Sequence, residues 1–218
     1  MLNRRYAERC VCLVVLVLLI STTGHTHAQG EHSRRAAAEL TVLVGDVVQL
    51  KNRVIEDTEP HLQRGLADRI RASLSSLDIV LRLADQESQR PQRRYTPEVR
   101  QAVEYLEQGN ATSLASLEML LSDLVARFPL VEPTFPESQV LLSSVKQLHQ
   151  ELCAACHDHP ATGAERPAYN LAQQAKTTSD IEFYARMLVG VRGDRVTGID
   201  NPLSDMQIAG LLYYYRSQ

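Results

Sequence analysis

The sequence has 218 residues, a formal net charge of -3 and 44% hydrophobic residues. This length allows one large or two small domains with hydrophobic cores, and the composition excludes a disordered chain. Basic residues do not outnumber acidic ones, so the chain lacks the basic stripe of a nucleic-acid-binding protein. We therefore expect no nucleic-acid partner.

Residues 1–28 have the pattern of a secretory signal peptide. Three arginines in the first ten residues precede an apolar run from Cys10 to Ile20, and small or polar residues lead to Ala28. The run is well short of the roughly 20 apolar residues that cross a bilayer, and it is not followed by a cysteine for a lipid anchor. We expect cleavage after Ala28, no membrane span in the mature chain, and a periplasmic or otherwise exported protein.

Residues 29–132 are predicted to form a helical bundle domain. Apolar residues recur at steps of three and four residues from Ala36 to Phe128, which indicates helices. Two long helices, broken near Thr58-Glu59-Pro60, precede a shorter helix from Thr96-Pro97 to Gly109 and another capped at Thr112 or Ser113. Such stripes usually form a core rather than a partner site, and four helices with short connections predict an up-and-down bundle. The stripes are Leu40, Leu43, Val47, Leu50 and Val54, then Ile70, Leu74, Leu77, Leu81 and Ala84, then Leu117, Leu121, Leu124 and Phe128.

Pro129, Pro133 and Pro136 mark a domain boundary, and residues 137–218 form the predicted second domain. A first helix runs directly into a cysteine motif. A further helix is predicted from Ser179 to Leu188, a loop from Val189 to Pro202, and a last helix from Leu203-Ser204-Asp205 to Tyr215. No strand pattern stands out, so the predicted fold is all-α throughout. The apolar face of the first helix carries Leu141, Val145, Leu148 and Leu152.

The motif Cys153-Ala154-Ala155-Cys156-His157 carries the chemistry of the chain. Of the four cysteines, Cys153 and Cys156 are the two that lie after residue 28. C-x-x-C-H is the attachment signature of c-type haem, because two thiols one turn apart can add to the vinyl groups of a single porphyrin. His157 then lies beneath the ring, where it can bind iron as the proximal ligand. The sequence therefore predicts one covalently attached haem c.

Two other uses of the cysteine pair were weighed against haem. A closed zinc site needs four ligands, and the chain offers no second cysteine pair, with only His149 and His159 nearby. A disulfide-exchange pair normally begins a helix beside strands, whereas here a long helix precedes the cysteines. The haem interpretation is preferred on both grounds.

Residues 138–218 resemble the cytochrome c family, specifically its small soluble monohaem class. The leading helix into the C-x-x-C-H motif carries part of this resemblance, and residues 203–214, Leu-Ser-Asp-Met-Gln-Ile-Ala-Gly-Leu-Leu-Tyr-Tyr, look like the family's closing helix. The resemblance implies that the closing helix crosses the leading one and buries Ile208, Leu211 and Tyr214 there. The helical bundle domain shows no such resemblance.

The sequence departs from the family pattern at two places. Asn170-Leu171 resembles the family's Pro-Asn-Leu, but Tyr169 stands at the proline position and Pro167 lies two residues earlier. This difference concerns the backbone carbonyl that supports the axial histidine in the family. The loop from Gly190 to Pro202 also lacks the methionine that family members place there as the sixth iron ligand, and Val196 or Thr197 lies near that position.

Four arrangements of the sixth iron ligand stay open. Met187, at the end of the preceding helix, either reaches the iron or fills the core. Met206 lies on the closing helix, and a residue of the helical domain such as His61 or Met119 is a third source. In the fourth arrangement the iron is open or water-bound and can take small ligands.

Smaller signals surround the motif. We expect His159 to point to solvent and His149 to lie on the polar face of the leading helix. Arg192 and Arg195, near the expected haem edge, either pair with a propionate or stay solvated. The run from Tyr213 to Tyr215 should place at least one ring in the core and another at the surface.

These features predict an electron carrier, or a cytochrome subunit of an oxidoreductase complex, rather than an enzyme by itself. The partner would be a redox protein or that complex, and the helical domain would be a docking module. The alternative is a haem-based sensor or ligand-binding protein with an open distal iron site. A peroxidase is less favoured, because no distal acid-base pair is recognisable.

Overall fold

The computed structural model describes residues 29–91, 93–131, 139–159, 167–192, 198–199 and 201–218. The predicted signal peptide, residues 1–28, lies outside these ranges, as do Arg195, Val196 and Thr197. The helices are α1 (Glu31–Glu56), α2 (Pro60–Glu87), α3 (Thr96–Gln108), α4 (Ala111–Arg127), α5 (Gln139–Leu152), α6 (Ala154–His157), α7 (Leu171–Thr177), α8 (Asp180–Val189) and α9 (Asp205–Arg216). The fold is all-α, as predicted, apart from one short antiparallel ladder.

That ladder corrects the prediction of a loop from Val189 to Pro202. Strand β1 (Val191–Arg192) pairs with β2 (Gly198–Ile199), with Val191 opposite Ile199. Two-residue strands are too short for alternation to be visible in a sequence, which is why the pattern missed them. The ladder starts directly after Gly190, the residue that ends α8.

Helices α1–α4, the bundle, enclose the first hydrophobic core. Helix α1 packs against α2 and α4, and α3 packs against the same two helices. The predicted stripes supply the core, and Val54 is the member that stays only partly buried. Each fully buried leucine contributes about 1.5–3 kcal/mol relative to an exposed one, so these stripes account for the helical packing. No helix in the described ranges is long and apolar enough to cross a bilayer.

The bundle helices begin and end close to the predicted residues, with differences at two caps. Asn110, not Thr112 or Ser113, caps α4, since its side chain accepts the backbone N–H of Ser113 at 2.9 Å. Thr96 is the first residue of α3 rather than its cap. The backbone N–H of Tyr95, the residue before Thr96, donates a hydrogen bond to the side chain of Asp78 on α2. Gly109 ends α3 with a φ of 63°, a left-handed conformation that glycine adopts without strain.

The second core lies among α5 and α7–α9. Helix α9 packs against α5, α7 and α8, as the family resemblance implies for a closing helix that contacts the leading one. Ser204 caps α9 through a reciprocal bond pair with Gln207, which confirms the predicted start. The members of the core are Val145, Leu171, Ala175, Phe183, Leu211, Leu212 and Tyr215.

Two residues on these helices differ from their predicted burial. Leu152, expected on the apolar face of α5, lies on its last turn and is 60% exposed. Tyr214, which the resemblance implies is buried, is only partly buried, and the neighbouring Tyr215 is the buried ring, at 1% exposed. Ile208 and Leu211 are buried as predicted, and the exposed Tyr213 confirms that the tyrosine run divides between core and surface.

A third, smaller cluster joins the two parts of the chain. Ala38 and Val42 of α1 pack against Ala185 and Val189 of α8. Periodicity could not predict this contact, because both helices already present a stripe to their own core. The bundle therefore holds α8 from the side opposite the second core.

Glu87, the last residue of α2, caps the start of α1. Its carboxylate accepts the backbone N–H groups of Ser33 at 2.8 Å and His32 at 3.1 Å. Burial alone would raise the pKa of Glu87, but these hydrogen bonds lower it overall. We expect Glu87→Gln to reduce the free energy of unfolding by about 0.5–1 kcal/mol, measured by denaturant unfolding at neutral pH.

The pH dependence of this cap has a defined sign. A carboxylate with a lowered pKa stabilises the fold above its ordinary pKa, and the contribution disappears as the pH falls through the lowered value. The difference between wild type and Glu87→Gln should therefore shrink on acidification. Glu104→Gln, at an exposed position of α3, is the matched control. Equal losses in the two variants would show that the cap contributes nothing.

Candidate haem-attachment site

The C-x-x-C-H motif forms a single tight turn at the end of α5. The backbone N–H of Cys153 continues α5 by donating to the carbonyl of His149 at 2.9 Å. The N–H groups of Cys156 and His157 both donate to the Cys153 carbonyl, at 3.2 and 3.0 Å. The two thiols and the imidazole thus come from one turn of chain, which is the spacing that porphyrin attachment requires.

The two thiols have different surroundings. Cys153 is partly buried against the second core, whereas Cys156 is exposed. Neither forms a disulfide. Burial raises the pKa of the Cys153 thiol, which is hydrogen bonded to the hydroxyl of Tyr215. A ring joined to both sulfurs would therefore have one side against the core and one side at the surface.

His157 is held by the backbone that follows the motif. Its Nδ1 lies 2.6 Å from the carbonyl oxygen of Tyr169. A carbonyl oxygen only accepts, so Nδ1 carries the hydrogen and Nε2 presents its lone pair. Metal-binding histidines are oriented in this way, by a hydrogen bond from the ring nitrogen that does not bind the metal. Tyr169 thus supplies the carbonyl that stands at the family's proline position, and the change of residue leaves this support intact.

This donor set fits a covalently attached haem. Two free thiols one turn apart match two vinyl groups, and the partly buried His157 has the tautomer that leaves Nε2 available to iron. Within the described ranges, no three His, Cys, Asp or Glu side chains cluster as metal ligands.

The predicted sources of a sixth ligand occupy different environments. Met187, on the last turn of α8, is partly buried against the second core, and its carbonyl accepts the Asn201 side chain at 2.7 Å. Met206 is 62% exposed on α9, and Met119 is 67% exposed on α4 of the bundle. His61 lies in the first turn of α2, also in the bundle. Of these residues, Met187 belongs to the same core as the motif, and its ligation stays a prediction.

His149 was misassigned from the sequence. It was expected on the polar face of the leading helix, yet it is 8% exposed. Its Nδ1 lies 2.9 Å from the Tyr215 hydroxyl and its Nε2 lies 3.3 Å from a carboxylate oxygen of Asp158. Its place one turn before Cys153 was visible in the sequence, but its two partners were not.

The remaining predicted residues are less informative. His159 is exposed, as expected. Arg192 lies in β1, but its side chain falls outside the described atoms, as Arg195 does altogether. A cleft of about 380 Å³ opens between α1, α4 and the start of α8, with Thr41 and Ser122 among its lining residues, and it includes no residue of the motif.

No protein-family model matches the chain, and comparisons with curated proteins and with solved structures likewise give no match. The resemblance to the cytochrome c family therefore depends on the motif, the order of the helices around it and the residues named above.

Proposed function

We propose that the chain is an exported monohaem c-type cytochrome that carries electrons between redox partners. The observation that carries the proposal is the hydrogen bond from His157 Nδ1 to the Tyr169 carbonyl at 2.6 Å. It leaves Nε2 available to iron in a turn that also presents two free thiols. An exported location follows from the signal-peptide pattern of residues 1–28.

Each residue of the turn has a defined role in this proposal. Cys153 and Cys156 would hold the haem through two thioether bonds, and His157 would bind its iron through Nε2. Met187 is the candidate for the sixth position. Once bound, the haem would supply one-electron exchange between a reduced donor and an oxidised acceptor.

The packing around the turn places one attachment cysteine against the core and the other at the surface. Tyr215 and Leu211 of α9 are at most 1% exposed, so the partly buried Cys153 has one side against a core that excludes water. Cys156 is exposed and faces solvent, where a partner protein can approach. Electron exchange through the Cys156 side agrees with this asymmetry. The bundle, which packs against α8, is then the larger surface on which a redox partner or oxidoreductase complex docks.

A second function, binding or sensing of a small haem ligand, is kept because of one observation. The segment from Gly190 to Pro202 contains no methionine, so the iron is open unless Met187 or another side chain reaches it. An open iron takes ligands such as CO or NO. The bundle contact with α8 would then transmit ligand binding to the rest of the chain.

The haem-loaded protein should separate the two functions by its spectra. For an electron carrier ligated by Met187, we expect a low-spin ferric magnetic-resonance signal and no change in the ferrous optical spectrum on addition of CO. Met187→Leu should then become high-spin and bind CO, because the thioether is lost. Met206→Leu removes an exposed methionine and is the matched control.

The opposite results would favour the second function. A high-spin ferric signal in the wild type, together with ready CO binding, would mean an open iron and a ligand-binding protein. Unchanged low-spin spectra in Met187→Leu would instead contradict only the Met187 assignment, because another residue would then be the sixth ligand.

A further inference from the structure

His149 is buried beside the attachment turn and has no part in holding the haem. Its two ring nitrogens contact Tyr215 on α9 and Asp158, the residue after α6. Tyr215 is 1% exposed and is also hydrogen bonded to Cys153. The imidazole therefore connects α5, α9 and the end of the motif around one of the two attachment cysteines.

The hydrogen-bond roles in the neutral form follow from the carboxylate. Asp158 only accepts, so Nε2 carries the ring hydrogen and donates to it. Nδ1 then has a lone pair and accepts the hydroxyl hydrogen of Tyr215 at 2.9 Å. Both nitrogens of the neutral imidazole are paired.

The same neighbours also satisfy the protonated form. Nδ1–H then donates to the oxygen of Tyr215, whose hydroxyl hydrogen turns to the sulfur of Cys153, a weak acceptor. The Asp158 carboxylate, 3.2 Å from Nε2, balances the positive charge. A buried charge without such partners is costly, so a side chain with both forms paired can exchange a proton without disrupting its surroundings.

We propose that His149 is a redox-linked proton site, which takes up one proton from solvent when the protein is reduced and releases it on oxidation. This inference rests on the proposed function, because it needs a haem at Cys153. The oxidised haem carries one more positive charge than the reduced haem, and that charge disfavours an imidazolium nearby. One electron and one proton therefore enter together and leave together.

The groups around His149 leave it as the proton acceptor of this region. Helix α9 and the short α6 turn pack against α5. The titratable groups that contact the imidazole from these elements are Tyr214, Tyr215 and Asp158, and Cys153 is hydrogen bonded to Tyr215. The charged residues of α9 pair elsewhere, Asp205 with Arg34 and Arg216 with Asp180. On α5 itself, Lys146 and Glu151 are exposed.

The test is the pH dependence of the reduction potential of the haem-loaded protein. Between about pH 5 and 8, where histidine side chains can change charge, we expect the wild-type potential to fall as the pH rises, because the proton taken up on reduction becomes scarcer. His149→Phe keeps a buried ring without an exchangeable proton and should abolish this fall. His159→Gln, which removes the exposed neighbouring histidine, should retain it.

Two further measurements test the same proposal without depending on the folding of His149→Phe. Tyr215→Phe keeps the ring and removes the hydroxyl that changes partner, so it should weaken the pH dependence even where His149→Phe folds poorly. Nuclear magnetic resonance of the His149 ring nitrogens should show titration at higher pH in the ferrous protein than in the ferric one. This readout reports the proton itself.

The outcomes distinguish this site from the function on which it rests. A chain that gains no covalent haem overturns the proposed function and the proton site with it. A haem-loaded wild type whose potential is constant across this pH range overturns the proton site alone. So does a His149→Phe protein with the wild-type pH dependence.

Discussion

The Asp46→Ala variant is expected to lose about 3 kcal/mol of stability, because it breaks a buried ion pair from one side. The Asp46 side chain is 2% exposed on α1 and accepts Arg69 Nε of α2 at 2.6 Å. It also accepts Arg186 Nη1 of α8 at 2.9 Å. Without Asp46, the largely buried Arg186 keeps Glu182 as its partner, which places the loss at the lower end of the usual range of about 3–5 kcal/mol.

The charge on Arg186 is held by its two carboxylates. Burial alone would lower the pKa of Arg186, but Asp46 and Glu182 raise it overall. A guanidinium stays protonated in proteins, so Arg186 cannot offset the loss of Asp46 by giving up its proton. Denaturant unfolding measures the resulting change in the free energy of unfolding.

Asp68→Ala is the matched control for Asp46→Ala. Asp68 pairs with Arg71 on the surface of α2, with side chains 49% and 46% exposed. Exposed pairs of this kind contribute about 0–1 kcal/mol. A loss in Asp46→Ala no larger than in Asp68→Ala would show that the ion pairs of Asp46 do not hold the bundle to α8.

The contact between α1 and α8 also depends on the residue before Asp46. A Cβ on Gly45 would lie 2.3 Å from the Glu182 carboxylate and 2.9 Å from the Arg186 guanidinium. Glycine at this position therefore leaves room for the Glu182–Arg186 ion pair against α1. Because Met187 follows Arg186 directly, the bundle fixes the helix that carries the candidate sixth ligand.

The variant lacking both Cys153 and Cys156 is expected to contain no covalently bound haem. Each thiol forms one thioether bond in the proposed site, so Cys153→Ala and Cys156→Ala alone should each retain a single bond. Haem-dependent staining after denaturing electrophoresis detects the covalent fraction. Mass analysis of the peptide that spans the motif then counts the bonds.

Cys12→Ala is the control for this experiment, because Cys12 lies in the predicted signal peptide, which we expect to be cleaved from the mature chain. It should leave the covalent haem unchanged. Covalent haem in the variant without both motif cysteines would contradict the assignment, since a different residue would then hold it.

Much of the fold was predictable because its determinants are local. The stripes from Leu40 to Val54 and from Ile70 to Ala84 repeat at helical spacing and form the bundle core. Ser204 precedes α9 with Gln207 three residues later, which is a capping signal visible in the sequence. Such signals act within one helix, so one sequence is enough to read them.

The contacts that join distant segments were not predictable from periodicity. Asp46 and Arg186 are 140 residues apart, and nothing in either helix marks them as partners. His149 was assigned to a polar face because histidine is a polar residue, yet Tyr215 and Asp158 satisfy it in the interior. Pairing across the fold decides such cases.

The candidate site divides in the same way. Cys153, Cys156 and His157 were named from a contiguous motif, and the structure places them on one turn. The acceptor for His157 Nδ1, by contrast, is the backbone carbonyl of Tyr169. The likeness of Asn170-Leu171 to the family pattern pointed to this position, but the tyrosine side chain did not show whether the carbonyl would be kept. A residue type predicts side-chain chemistry but does not show where a main-chain oxygen points.

The mass of the mature protein, measured under denaturing conditions after expression with a c-type haem maturation system, tests the central claim most directly. The account predicts a chain that begins at Gln29 and carries the added mass of one haem on the peptide containing Cys153 and Cys156. A chain without added mass, from cells that load a known c-type cytochrome, would contradict it.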